Sequence, residues 1–348
     1  MSRSRAWAEL LRLPALFTVP GDALSGAAAA GARPNSRTLL AIGSSLCLYE
    51  AGMALNDWAD RAEDAAERPH RPLPSGRVHP AAAFTAACAL TGAGVTLAAR
   101  AGRPALTIAV PLAATVWAYD LALKHTPCGP AAMATARALD LLLGAAATTG
   151  RTRAALPSAA LLGTHTLAVT MVSRQETKGG SPLAPLAALT ATALLSRLLA
   201  HRPAGFPPDN PSGTGLDGAP GETTAPSRQV TSGLLPATAE SAAGRGRPGP
   251  DHARRTTPSR SADSARSSAR ALTTALTAAY AATAARPYFH ATLNPSPPLT
   301  QRAVGGGIRA TIPLQAALSA RSGAGLTALL IAGLAPLGRR FGRKVSVT

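Results

Sequence analysis

The sequence predicts an all-α protein whose helices cross a membrane many times. Hydrophobic residues make up 46% of the 348 positions and charged residues only 15%, where a soluble domain carries about 25% charged. The apolar residues also gather in runs of the length, roughly 20 residues, that a helix needs to cross a hydrocarbon core of about 30 Å. Those runs are rich in Ala and Leu and are separated by short basic or Pro/Gly turns. A mean hydropathy of +0.11 understates the pattern, because a polar segment over 204–268 dilutes the rest.

Taken in order, the candidate spans are 13–32, 38–56, 80–99, 104–122, 130–149, 156–173, 182–200, 270–286 and 322–338. The first follows Arg3 and Arg5 and resembles a signal peptide in charge order. Pro14, Pro20, Gly21 and Asp22 interrupt its apolar core, which favours a retained helix over a cleaved one. The stretch 303–320 holds Arg309 and Pro313 and reads either as a tenth span or as a helix lying in the interface. The expected architecture is therefore a bundle of nine spans, or ten if 303–320 also crosses. The abundance of small residues predicts close helix packing, since Gly, Ala, Ser and Thr let backbones approach where lipid supplies no hydrophobic drive.

Three regions follow: a membrane part over 1–203, a disordered Pro/Gly/Ser-rich insertion over 204–268, and C-terminal membrane helices over 269–348. The insertion has too few large apolar residues to offset the entropy of ordering. Orientation is read from Lys and Arg in the short loops. With the N-terminus in the cytoplasm, that side carries Arg12, Arg61, Arg68, Arg71, Arg77, Lys124, Arg174 and Lys178, and the other carries Arg33, Arg37, Arg100, Arg103, Arg151 and Arg153. Nine spans leave the basic tail at Arg339, Arg340, Arg343 and Lys344 outside, and ten return it to the cytoplasm. Cys47, Cys88 and Cys128 are an odd set without CxxC spacing, which argues against a disulfide framework or a zinc site. The net charge of +18 is spread over loop ends with no basic stripe interleaved with aromatics, so the expected partners are membrane lipid and a phosphorylated substrate, with no nucleic acid.

Chemistry concentrates after the second span. Asn56, Asp57, Asp60 and Asp64 lead into Glu67-Arg68-Pro69-His70-Arg71-Pro72-Leu73-Pro74-Ser75-Gly76-Arg77. On a helix turning about 100° per residue, Asn56, Asp60, Asp64 and Asp57 fall near 0°, 40°, 80° and 100° and share one face. Clustered carboxylates beside hydrocarbon need a compensating cation, and hard oxygen ligands suit magnesium, which is commonly shared with substrate phosphates. The alternative is a set of juxtamembrane charges paired with Arg61, Arg68 and Arg71.

These residues resemble the first signature, NDxxDxxxD, of the UbiA superfamily of intramembrane prenyltransferases, and Asn56, Asp57, Asp60 and Asp64 match it in full. The resemblance covers the chain outside the 204–268 insertion. It implies a helix bundle in which magnesium holds a prenyl diphosphate on acidic motifs while the prenyl group passes to an acceptor, often an aromatic one. By resemblance, Asn56, Asp60 and Asp64 are magnesium ligands with Asp57 close by, and Arg68 and Arg71 are substrate contacts. The family's Tyr and Lys after the fourth span correspond to Tyr119 and Lys124. Lys124 would offset charge on the departing diphosphate; it also reads as a topology-setting loop lysine, and Tyr119 as an interfacial aromatic. The second acidic motif is eroded to Arg174-Gln175-Glu176-Thr177-Lys178, as in an EboC-like branch of the family. Either Glu176 binds a second magnesium nearly alone, or Arg174 and Lys178 supply the neutralising charge.

Arg137 and Asp140 lie three apart in the fifth span and can pair, as catalytic groups or as a structural pair. Asp22 and Glu50 are further acids in apolar runs. The expected activity is magnesium-dependent prenyl transfer in the cell membrane, with the site on the cytoplasmic side. An intramembrane terpene cyclase, a transporter using intramembrane carboxylates and a noncatalytic scaffold remain as alternatives.

Overall fold

The computed structural model describes residues 3–176, 181–201 and 260–345, and among them are twelve α-helices and no strand. The helices are α1 (Arg3–Leu10), α2 (Val19–Ala29), α3 (Ser36–Ala59), α4 (Arg61–Glu67), α5 (Pro80–Ala101), α6 (Arg103–Ala118), α7 (Gly129–Thr149), α8 (Leu156–Ser173), α9 (Leu183–Ala200), α10 (Arg260–Leu293), α11 (Pro297–Arg321) and α12 (Gly325–Val345). Residues 204–259 of the polar insertion lie outside the described residues, and α10 opens at Arg260.

Local sequence accounts for the boundaries. Asn35 caps α3 by accepting from the Arg37 and Thr38 N–H groups, while the Thr38 hydroxyl accepts from the Asn35 N–H, a reciprocal capping box. Pro80 opens α5 at a position where its missing N–H costs nothing. Gly150 ends α7 with φ of 74°, a conformation that glycine adopts without strain.

Among the described residues, six helical stretches are long and apolar enough to cross a membrane: Ser36–Ala59, Pro80–Ala101, Arg103–Leu123, Gly129–Thr149, Arg153–Ser173 and Leu183–Ala200. The other expected spans differ. Run 13–32 splits at its prolines into a 3₁₀ segment, Leu13–Thr18, and the eleven-residue α2. Run 270–286 lies within the 34-residue α10, and 322–338 coincides with a shorter apolar helix, Gly325–Gly338, in α12. Stretch 303–320 belongs to α11, which runs through Arg309 and Pro313 and buries nearly every side chain from Ala310 to Ala320. It is a core element rather than an interfacial one.

Small residues set the packing. A Cβ at Gly144 would collide with the Ala23 backbone, and one at Gly26 with the Leu141 carbonyl, so α2 and α7 touch backbone to backbone. Gly94 lets α5 rest on Leu48 of α3, where the Ser44 hydroxyl donates to the Gly94 carbonyl at 2.7 Å. Because lipid is as apolar as Leu, this adhesion comes from close contact and interhelical hydrogen bonds. A separate cluster of Leu10, Leu55, Leu73 and Val78, flanked by Trp7, Trp58, Phe84 and Trp117, fastens α1 and the loop 68–79 over the ends of α3 and α5.

Candidate active site

The acidic motif straddles a joint between two helices. α3 ends at Ala59 and α4 begins at Arg61, yet the Asp60 N–H donates to Asn56 O at 2.9 Å and the Asp64 N–H to Asp60 O at 2.8 Å. The helical hydrogen-bond path therefore continues across the joint, and the four side chains face one region as their spacing requires. Asp57 and Asp64 are buried, while Asn56 and Asp60 are partly exposed.

Each acid meets a cation brought from elsewhere. Arg12 Nη2 donates to Asp57 Oδ1 at 3.1 Å. Arg71 Nη1 lies 2.8 Å from Asp64 Oδ2 and 3.5 Å from Asp57 Oδ1, bridging the two, and Arg68 lies 3.6 Å from Asp64. Lys124 Nζ donates to Asp60. Arg61 takes no part in the cluster: it stacks 4.6 Å from the Trp58 ring centroid and donates to the Trp58 carbonyl at 2.8 Å. The proline-rich tail explains Arg71. Leu73 and Val78 are buried beneath the turn and hold the loop down, while Arg77 grips Glu9 of α1 at 2.6 and 3.1 Å. That bond holds the Glu9 carboxyl below its ordinary range.

Lys124 is placed by one turn of π-helix, Tyr119–Leu123, closed by the Lys124 N–H donating to Tyr119 O at 2.9 Å. Such turns recur at functional sites. Here the turn directs Asp120 and Lys124 together at α3: Asn56 Nδ2 donates to Asp120 Oδ1 at 3.1 Å, which turns the Asn56 carbonyl oxygen toward any cation. Sequence reasoning missed Asp120, although its spacing of four from Lys124 in an otherwise apolar run was a signal. It also missed Arg12 as a site residue, and nothing local marks that arginine. Its φ of 50° is the one positive value for a non-glycine among the described residues, and its contact lies 45 positions away.

The eroded second motif is arranged differently. Arg174 turns away from the acids and donates to the Thr126 carbonyl, bracing the loop after Lys124. Glu176 is half-buried, and burial raises its carboxyl against the opposing pull of Arg68. That influence connects Glu176 to the partner of Asp64. Lys178 lies outside the described residues.

A cavity of about 520 Å³ extends from this cluster into the bundle. Asn56, Tyr119, Asp120 and Arg12 line one end, and Leu48, Met53, Leu112, Val116, Met133, Val169 and Ile308 are among the middle lining. Ser45, Arg137, Asp140 and Thr311 line the far end. Arg137 pairs with Asp22 at 3.0 Å rather than with Asp140, and its Nη2 donates to Thr18 O at 3.2 Å. Asp140 accepts from the Ser45 hydroxyl, and Gln315 Nε2 donates to Asp22 at 2.6 Å. His165 borders the cavity; the Gly307 carbonyl can only accept, so Nε2 carries the proton at 3.0 Å and Nδ1 accepts from the Tyr280 hydroxyl at 3.2 Å. Glu50 is buried away from the cavity lining, and its carboxyl oxygens have no hydrogen-bond partner among the described residues. On the outer side of the acidic motif, Asp60, Glu63 and His125 bring one ligand atom each within 4.8 Å of one another.

The UbiA prenyltransferase family model matches residues 16–200, just over half of the chain and inclusive of every motif residue above. This chain belongs to that family. Among curated relatives, digeranylgeranylglyceryl phosphate synthase of Methanopyrus kandleri is 36% identical over 128 residues, 35% of this chain and 45% of that one. The enzyme of the same name from Natronomonas pharaonis is 32% identical over 178 residues, 51% of this chain and 64% of that one. The chain thus spans about half the length of the relatives it matches. A solved structure of a digeranylgeranylglyceryl phosphate synthase superposes with a TM-score of 0.55 at 14% identity, covering 92% of this chain and 99% of that one, a likeness of fold. The UbiA fold and the six apolar stretches make this an integral membrane protein.

Proposed function

We propose that the chain is a magnesium-dependent prenyltransferase, which moves a prenyl group from a prenyl diphosphate onto an alcohol of a membrane lipid and releases diphosphate. The observation that carries this reading is the set of hard oxygen donors Asn56, Asp57, Asp60 and Asp64, ringed by Arg12, Arg68, Arg71 and Lys124, at the mouth of an apolar cavity. An all-oxygen donor set on a carboxylate face fits magnesium, with Asn56, Asp60 and Asp64 as its holders. When bound, magnesium supplies Lewis-acid neutralisation of the leaving diphosphate. Glu176 would assist the same head group, with Arg174 bracing the loop that carries Lys124.

In this reading the cations now paired with carboxylates exchange partners when substrate binds. Lys124, Arg68 and Arg71 take diphosphate oxygens, Asp60 and Asp64 would hold the magnesium, and the charge that develops on carbon–oxygen cleavage meets donors already in place. The apolar middle of the cavity shields the allylic cation from water. The acceptor oxygen bonds to the cationic carbon and its proton passes to the carboxylate of Asp120, which lines the cavity. A glyceryl-type alcohol is favoured over an aromatic acceptor because the matched relatives are named for a glyceryl phosphate product. The basic loops around the motif favour placing this end at the cytoplasmic face.

The test is magnesium-dependent diphosphate release in isolated membranes, supplied with prenyl diphosphates and a polar-lipid extract. Asp60→Asn and Asp64→Asn are expected to abolish release. Absence of release at every chain length, from protein shown to be folded, would sink the reading and return weight to a transporter or scaffold.

A further inference from the structure

The inner end of the cavity is a polar floor within an apolar bundle, and its hydrogen bonding is incomplete. Ser45, Tyr49, Arg137, Asp140 and Thr311 line it. Part of this set is satisfied internally: Arg137 Nε meets Asp22 at 3.0 Å, Arg137 Nη2 donates to Thr18 O at 3.2 Å, and the Ser45 hydroxyl donates to Asp140. The rest is unmet. Arg137 Nη1 and the hydroxyls of Tyr49 and Thr311 have no hydrogen-bond partner among the described residues, although Thr311 is only 8% exposed. Thr292 and Thr300 return their hydroxyls to the carbonyl four residues back, whereas the carbonyl four back from Thr311 belongs to Gly307, which His165 Nε2 already meets. Unpaired polar groups facing an apolar cavity cost stability, and a ligand that pairs them gains by it. A prenyl tail offers them nothing. It also has another way out, because Ile308 lines the middle of the cavity and is 49% exposed, which opens that side to lipid.

Charge at the floor narrows the ligand. The buried carboxyls of Asp22 and Asp140 stand there with one guanidinium, so a phosphate or carboxylate head would meet surplus negative charge. Hydroxyl groups suit a mixture of donors and acceptors, since each can both donate and accept. The depth fits as well: Tyr49 lies seven residues before Asn56, about 10 Å of helix rise. That leaves room for diphosphate at the motif and for an attacking oxygen about 3–3.5 Å from the carbon it meets. We propose that Ser45, Tyr49, Arg137, Asp140 and Thr311 form the acceptor subsite and hold an uncharged polyol head, while the prenyl tail leaves past Ile308. This rests on the proposed prenyl transfer and adds the acceptor's class and seat to it. One hydroxyl oxygen of the polyol bonds to the allylic carbon as the carbon–oxygen bond to diphosphate breaks, and its proton passes to Asp120. The Arg137–Asp22 pair stays closed and holds the guanidinium in place.

The test uses the full chain in membranes or detergent with magnesium and four acceptors: an alkylglycerol, the same alkylglycerol carrying a phosphate, inositol and 4-hydroxybenzoate. Two readouts are taken, acceptor-dependent diphosphate release and thermal stabilisation by each acceptor beside an unreactive prenyl thiolodiphosphate. Both are expected to favour an uncharged polyol over the phosphate and the aromatic acid by at least about tenfold. Tyr49→Phe and Thr311→Val keep the shape and remove one hydroxyl each. Each should raise the acceptor KM about five- to tenfold and weaken acceptor stabilisation in step, with the donor KM unmoved. Preference for the phosphate or the aromatic acid, or an unchanged acceptor KM in both folded variants, would overturn the subsite and leave the transferase standing. Stabilisation by a polyol that both variants lose, without release of diphosphate, would support the subsite and reject the transferase reading. Neither stabilisation by nor turnover of either polyol would reject the subsite.

Discussion

At the motif end of the cavity, Arg12, Arg68 and Arg71 reach buried carboxylates with side chains that stay 41%, 44% and 24% exposed. At the floor, Arg137 meets Asp22 with side chains 16% and 0% exposed, and Gln315 and Ser45 close the remaining gaps. The same ion-pair chemistry therefore serves two ends. Pairs that water can reach are individually weak and exchangeable. Pairs sealed among helices are costly to separate, so they fix geometry. Substrate can recruit the first set, and the second resists it.

The contrast breaks most visibly at Arg137. Arg137→Leu leaves the neighbouring Asp22 and Asp140 carboxyls without their cation, and a loss of about 3–5 kcal/mol is expected, measured by thermal unfolding in detergent. Asp22→Asn added to it should restore part of that loss; if the single variant melts like wild type, the floor is not locked. Next in size is Gly144→Ala, where the added methyl forces α2 from α7 and should cost about 1–3 kcal/mol. The control Gly92→Ala, in α5 with open space around the Cβ, should gain up to about 1 kcal/mol.

At the motif end the expected stability effects shrink while the activity effects grow. Arg71→Gln should change stability by less than about 1 kcal/mol but lower diphosphate release by about 100-fold, and a large drop in melting temperature would erase the distinction between the ends. The smallest effect concerns Glu9, whose carboxyl is held low by Arg77 in the folded protein. Its contribution is present above the ordinary carboxylate pKa near 4.5 and fades as pH falls through the lowered folded value. The melting difference between wild type and Glu9→Gln should accordingly be small at pH 7 and vanish in strong acid; a difference that grows in acid would contradict the pairing.

The long spans and the acidic face were legible because both are local: a 20-residue apolar run and a four-residue spacing each report on one helix. Run 13–32 is apolar over the length of a span, and what composition does not show is its form, a 3₁₀ segment followed by α2, with Pro14 and Pro20 at the start of each. Stretch 303–320 was ambiguous because Arg309 and Pro313 interrupt its apolar pattern; in α11 Arg309 is exposed and Pro313 partly buried, while the residues from Ala310 to Ala320 around them pack in the core. The Arg137–Asp140 pairing failed for a related reason. Spacing places two groups on one face, but the partner was chosen by α2, more than a hundred positions earlier, through the close approach at Gly26 and Gly144. Arg12 and Asp120 depend likewise on contacts 45 and 64 positions apart.

The wide turn at Tyr119–Leu123 has a bearing on inheritance as well as geometry. Its hydrogen bond spans five residues instead of four, so the chain there carries one residue more than a regular helix would need. Loss of a single codon from Leu121, Ala122 or Leu123 would restore a regular turn in which the lysine N–H still meets Tyr119 O, so the lysine would keep its phase and stay beside Asp60. The apolar run would stay long enough to insert. Such an allele would be expressed, membrane-bound and still armed with its lysine, so descendants of this gene should tolerate a change of length across Leu121–Leu123 better than a change of Asp120 or Lys124.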